Sequence, residues 1–86
     1  MHQPLKREVI GKTLACSLRS LRASKGWSQE TLAMEANVQR AHMSQLERGF
    51  GNPTLETLFR LLGALNVTIV EWATEFEKCL PSRARR

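Results

Sequence analysis

No apolar run in the 86-residue sequence approaches the roughly 20 residues that span a bilayer, and residues 1–10 lack the apolar core of a signal peptide. Neither a membrane span nor a secretory leader is expected, and a cytoplasmic location is. Cysteine is scarce. Cys16 and Cys79 lie at opposite ends of the chain with no second pair, whereas small secreted domains are stapled by four or more. Two reduced, buried thiols are therefore expected. His2 and His42 stand at no metal-ligand spacing from either cysteine, so no metal and no cofactor is expected. There is no phosphate-cradling glycine loop and no pair of catalytic carboxylates. Ser28, Ser44, Cys16 and Cys79 have no histidine base at a recognisable spacing, which argues against an enzyme. Strand-like alternation of apolar and polar residues is also missing, and that leaves helices.

Enough is present for one core. The hydrophobic share is 42% and the charged share 24%, close to the globular average and unlike a disordered tail. Lysine and arginine outnumber aspartate and glutamate 13 to 8, a net charge of +5. The first fifty residues hold eight bases against four acids. Residues 51–80 hold two against four, and Arg83, Arg85 and Arg86 follow. This distribution implies one face turned toward a polyanion and another serving a different purpose.

Apolar spacing divides the chain into five helices. Ile10, Leu14, Leu18 and Leu21 share one face of the first, which starts from about Leu5 with Pro4 at its first turn and stops near Gly26. Ser28 caps a second short helix that buries Leu32, Ala33 and Ala36. Asn37, a residue that tolerates positive φ, then breaks it. Val38 re-enters the core, and a third helix at 39–48 carries Met43 and Leu46. After the loop at 49–53, Thr54 caps a fourth helix whose buried stripe is expected to be Leu55, Leu58, Leu62 and Leu65. Asn66 breaks that helix and Val67 packs. Thr68 caps the fifth, at about 68–79, where Ile69 and Trp72 are expected to close the core. The expected organisation is one domain over residues 1–80 and a basic flexible tail at 81–86.

Residues 29–48 have a distinctive order: small Ala33 within one helix, Asn37 four positions later, then Val38, Met43 and Leu46. Two helices crossing steeply through a tight turn need a small residue where they touch and a permissive one at the turn. An ordinary packed pair would show much the same apolar spacing. The wider pattern decides between them. Arg19-x-Leu21-Arg22-x-x-Lys25-Gly26-Trp27-Ser28-Gln29-Glu30-x-Leu32-Ala33 is followed by Met43-Ser44-x-Leu46-Glu47-Arg48-Gly49 and Asn52-Pro53-Thr54-Leu55-x-Thr57-Leu58. Across about residues 14–72 this resembles the Cro/phage-repressor-like (XRE-type) helix-turn-helix family. Asn37 stands where glycine is commoner, and Gln39 where serine or threonine usually caps the third helix.

The resemblance implies an all-α, compact five-helix, lambda-repressor-like domain with its helix-turn-helix at helices 2 and 3. It also implies sequence-specific binding of double-stranded DNA, usually as a dimer. The exposed residues of the third helix would read bases in the major groove: Gln39, Arg40, Ala41, His42, Ser44 and Gln45. Side-chain chemistry agrees. Arginine can donate two bonds to guanine O6 and N7, glutamine can pair with adenine, and an alanine methyl can meet thymine. His42 is equally a contact or a bystander. Gln29 would bind phosphate at the start of its helix. Ser28, Arg48, Asn52, Thr54 and Lys25 are further phosphate candidates, although Arg48 is as readily a solvated surface residue. The family commonly pairs an arginine on the first helix with the glutamate ending the third, a structural role that Arg22 and Glu47 fit.

One such domain reads only a few base pairs, so a homodimer on an inverted repeat is expected. Val70, Ala73 and Phe76 of the fifth helix are its expected isologous interface. The alternative is that Trp72 and Phe76 simply finish a monomer core. A regulator of this size would act as a repressor or restriction–modification controller, with RNA polymerase as a possible partner. A second reading is an antitoxin that binds a toxin and autoregulates its operon.

Overall fold

Local sequence explains where each helix begins and stops. The computed structural model describes residues 5–82. It has five helices: α1 (Arg7–Ser24), α2 (Gln29–Ala36), α3 (Arg40–Glu47), α4 (Leu55–Leu65) and α5 (Ile69–Cys79). No strand occurs among the described residues. Pro4, His2 and the basic tail residues Arg83, Arg85 and Arg86 lie outside them.

Three helices begin at a hydroxyl cap. Ser28 accepts from the Thr31 amide at 3.1 Å, Thr54 from Thr57 at 3.1 Å and Thr68 from Glu71 at 3.0 Å. Glu71 in turn accepts from the Thr68 amide at 2.9 Å, which closes a capping box. Each cap of this kind contributes about 1 kcal/mol. Gln39, which precedes α3, makes no such bond.

The first four helices end alike. Gly26, Asn37, Gly49 and Asn66 take positive φ, at 71°, 56°, 87° and 58°. The amide of the next residue then reaches back five positions: Trp27 to the Arg22 carbonyl, Val38 to Ala33, Phe50 to Gln45 and Val67 to Leu62. This is the Schellman arrangement, in which an apolar residue follows the left-handed one and usually packs onto the helix it terminates. Trp27, Val38 and Val67 do pack against the core. Phe50 does not; it is 66% exposed.

The core joins Leu14 and Leu18 of α1 to Leu32, Ala33 and Ala36 of α2, Met43 and Leu46 of α3, and Leu58, Leu61, Leu62 and Leu65 of α4. Ala33 is buried in α2, which packs against both α3 and α4. Three expected core residues lie outside. Leu55 is 67% exposed, because it opens α4 on the flank of a stripe completed by Leu61 instead. Ile10 is exposed near the start of α1 and lines a groove with Leu5, Phe50 and Pro53. Ile69 is exposed at the first position of α5.

α5 buries no residue completely. Trp72 and Phe76 lean on the core with their ring centroids 5.3 Å apart. Polar and covalent links add to this attachment. Trp72 Nε1 donates to Ser17 Oγ at 3.1 Å, and Ser20 Oγ donates to Glu75 at 2.8 Å. Cys16 and Cys79 form a disulfide, which corrects the expectation of two free thiols. Packing of α1 along α5 brings their Cα atoms to 6.0 Å, inside the range a disulfide can bridge. Separation along the chain could not reveal that.

Candidate nucleic-acid interface

The turn between α2 and α3 is three residues long, Asn37-Val38-Gln39. With Asn37 left-handed and Val38 packed against the core, the chain turns into α3, whose core side is fixed by Met43 and Leu46. That burial decides what α3 presents. Gln39, Arg40, Ala41 and Gln45 are exposed, and Ser44 is half-buried at the margin. His42 is half-buried too. It lines a cleft with Asn37, Val38, Gln39, Thr57 and Arg60, and its Nε2 is occluded and makes no hydrogen bond.

Behind this surface lies a polar brace. Glu47 is only 4% exposed. Its carboxylate accepts from Arg22 Nε at 2.7 Å and Nη2 at 2.8 Å, a two-pronged ion pair from α1 to the end of α3. Hydrogen bonding to Glu47 raises the Arg22 pKa above its ordinary value, against the opposing effect of burial. Arg22 also donates to the Trp27 carbonyl at 2.9 Å. The same carboxylate accepts from Gln29 Nε2 at 3.2 Å, so the side chain that opens α2 is tied to the pair. Arg19 of α1 donates to the Glu47 backbone carbonyl, one of the open acceptors at the end of α3. Arg19 carried no individual role in the sequence reading, because only the geometry shows it reaching the helix end.

The other phosphate candidates are less uniform. Ser28 and Thr54 already use their hydroxyls as caps, and each is also paired with a neighbouring threonine hydroxyl, Thr31 at 2.9 Å and Thr57 at 3.0 Å, which leaves their backbone amides for a ligand. Lys25 is exposed and sits over the Trp27 ring, 4.4 Å from its centroid. Arg48 is exposed with its guanidinium 5.9 Å from the Phe50 ring. Asn52 is exposed in the loop before α4. α1 sets the position of that loop. A Cβ on Gly11 would lie 2.7 Å from the Gly49 carbonyl oxygen, so only glycine permits the approach.

On α5, Val70 is 73% exposed and Ala73 is exposed beside it. Phe76 is half-buried against Trp72, so its ring serves the core of this chain. No helix among the described residues is long and apolar enough to cross a membrane.

Residues 18–72 match the helix-turn-helix family. The chain is 32% identical over 75 residues to the HTH-type transcriptional regulator SutR of Escherichia coli, covering 87% of this chain but 42% of that relative. It is 38% identical over 68 residues to the HTH-type transcriptional regulator y4dJ of Sinorhizobium fredii, covering 79% of this chain and 83% of y4dJ. Among solved structures, the restriction–modification controller protein C.Esp1396I bound to a 19-base-pair DNA duplex superimposes with a TM-score of 0.77 at 27% identity, over 81% of this chain and 93% of that one. The same controller protein is known as a tetramer on its natural 35-base-pair operator.

Proposed function

We infer function from family: this chain belongs to the XRE-type helix-turn-helix family of DNA-binding transcriptional regulators. It is a sequence-specific binder of double-stranded DNA that acts in the cytoplasm by binding rather than by catalysis. It recognises an inverted-repeat operator as a homodimer, the arrangement a controller protein or repressor of this size would use. The observation that carries this is the division of α3. Met43, Leu46 and Glu47 are buried, while Arg40, Ala41 and Gln45 stand exposed beside Gln39. Arg40 and Gln45 read base edges, Ala41 offers a methyl contact, and Gln39 and Ser44 lie at the ends of the reading surface. His42 faces the α4 cleft, and we assign it to packing. Gln29, with one amide hydrogen on Glu47, has its second and its backbone amide available for a phosphate. The Arg48 and Asn52 loop, with the starts of α2 and α4, positions the rest of the backbone. Ile69, Val70 and Ala73 form the surface we assign to the second protomer, with Phe76 left to the core.

Selection of bound sequences from random duplex DNA tests the assignment. Wild type should enrich an inverted repeat. Arg40→Ala should lose preference at one base pair of each half-site, whereas Gln29→Ala should weaken all sequences alike. A lack of enrichment, with binding that merely declines with salt, would leave a non-specific basic surface and refute the proposal.

A further inference from the structure

Arg40 opens α3, where a positive side chain meets the unfavourable end of the helix dipole. It is held there by a residue of the preceding helix. Glu30, in the first turn of α2, places Oε2 2.6 Å from Arg40 Nη2. Both side chains are largely exposed, at 73% for Arg40 and 60% for Glu30. The Arg22–Glu47 pair is built into the scaffold, and Arg60–Glu56 joins neighbouring turns of one helix. Glu30–Arg40 alone of these three ties the two helices of the motif together on their exposed side.

We propose that Glu30 is a positioning residue for DNA readout: its carboxylate buttresses the Arg40 guanidinium so that the remaining edge is presented to a guanine. This rests on the reading of Arg40 given above. A guanidinium carries five N–H donors in a rigid plane. One edge on Glu30 leaves another free for the O6 and N7 acceptors of a single base. An unbraced arginine would instead sample rotamers that reach neighbouring phosphates, which carry no sequence information. The carboxylate acts in a second way. Set in the first turn of α2, it repels DNA phosphate at every site alike, so it lowers affinity for all duplexes by a common factor and leaves discrimination to the braced Arg40. Glu30 therefore exchanges affinity for discrimination.

The test compares wild type, Glu30→Ala, Glu30→Gln, Arg40→Ala and the Glu30→Ala/Arg40→Ala double variant. Each is titrated at fixed salt with the selected operator, with that operator altered at the base pair Arg40→Ala ceases to read, and with a scrambled duplex. Glu30→Ala should reduce discrimination at that base pair by about 3- to 10-fold and strengthen binding to the scrambled duplex by about 2- to 5-fold. Glu30→Gln, which keeps an acceptor, should recover part of the discrimination. In the Arg40→Ala background Glu30→Ala should change discrimination no further, and the unfolding midpoint should stay put throughout. Unchanged discrimination in Glu30→Ala, alongside its loss in Arg40→Ala, would reduce Glu30 to a surface ion pair and overturn the proposal. No loss at any base pair in Arg40→Ala would overturn base reading by Arg40 and the proposal with it.

Discussion

Glu47→Ala should damage stability and DNA binding through one atom group. The substitution removes both Arg22 contacts, at 2.7 and 2.8 Å, and the Gln29 contact at 3.2 Å. Breaking a fully buried ion pair from one side costs about 3–5 kcal/mol, because it strands the other charge. Glu47 meets that description with 2% of its side chain exposed, but the Arg22 side chain is 21% exposed and keeps its bond to the Trp27 carbonyl. Water can therefore take part of the load, which lowers the expected loss to about 2–3 kcal/mol. For a domain of this size that is a fall in Tm of roughly 10–20 °C. Circular-dichroism melts and urea titrations on wild type, Glu47→Ala, Arg22→Ala and the double variant measure it. The double-mutant cycle should give a coupling of about 1–3 kcal/mol. The folded fraction of Glu47→Ala should bind operator and scrambled duplex more weakly by similar factors, since Gln29 loses its tether. A coupling near zero would refute the brace. Weakened operator binding with unchanged scrambled binding would refute its link to phosphate.

Two further variants probe the edges of the fold. Replacing Cys16 and Cys79 by serine frees a loop of 63 residues, worth about 4 kcal/mol on the chain-entropy account; Tm should fall by at least about 10 °C, with α5 amides exchanging first, and an unchanged melt would refute the staple. Gly11→Ala should gain about 1 kcal/mol from helix propensity yet lose about 1–3 kcal/mol to the clash with the Gly49 carbonyl; net stabilisation in urea titrations would show that the loop before α4 is not held as closely as described.

Sequence made the helices legible because their ends are written in short-range chemistry. Ser28, Thr54 and Thr68 are hydroxyl caps within three residues of the amides they serve, and Asn37 and Asn66 are left-handed stops followed by valine. The core was legible where periodicity is strong, as at Leu58, Leu62 and Leu65. It failed at helix starts. Leu55, Ile69 and Ile10 all lie in a first turn, where periodicity cannot tell whether a neighbouring element reaches far enough to cover the side chain. The disulfide, the Arg19 cap and the Glu30–Arg40 pair were illegible for a common reason. Each joins residues on different helices, and it is the crossing of those helices that sets the distance.

That contrast bears on how the reading surface is held. α3 has eight residues and no side-chain cap, far below the length at which an isolated helix is stable in water. Its conformation is therefore imposed from outside. Met43 and Leu46 anchor one side, Glu47 is gripped by Arg22 and Gln29, and Arg19 closes the Glu47 carbonyl. None of these contacts involves Gln39, Ala41 or Gln45, and Arg40 engages only the exposed Glu30. The energy that makes α3 a helix thus comes from residues that do not face DNA, whereas the residues that face DNA add little to folding. It follows that Gln45→Ala should leave Tm within about 4 °C of wild type while changing base preference in the same selection, and a large loss of stability would show that the two surfaces of α3 are not separable.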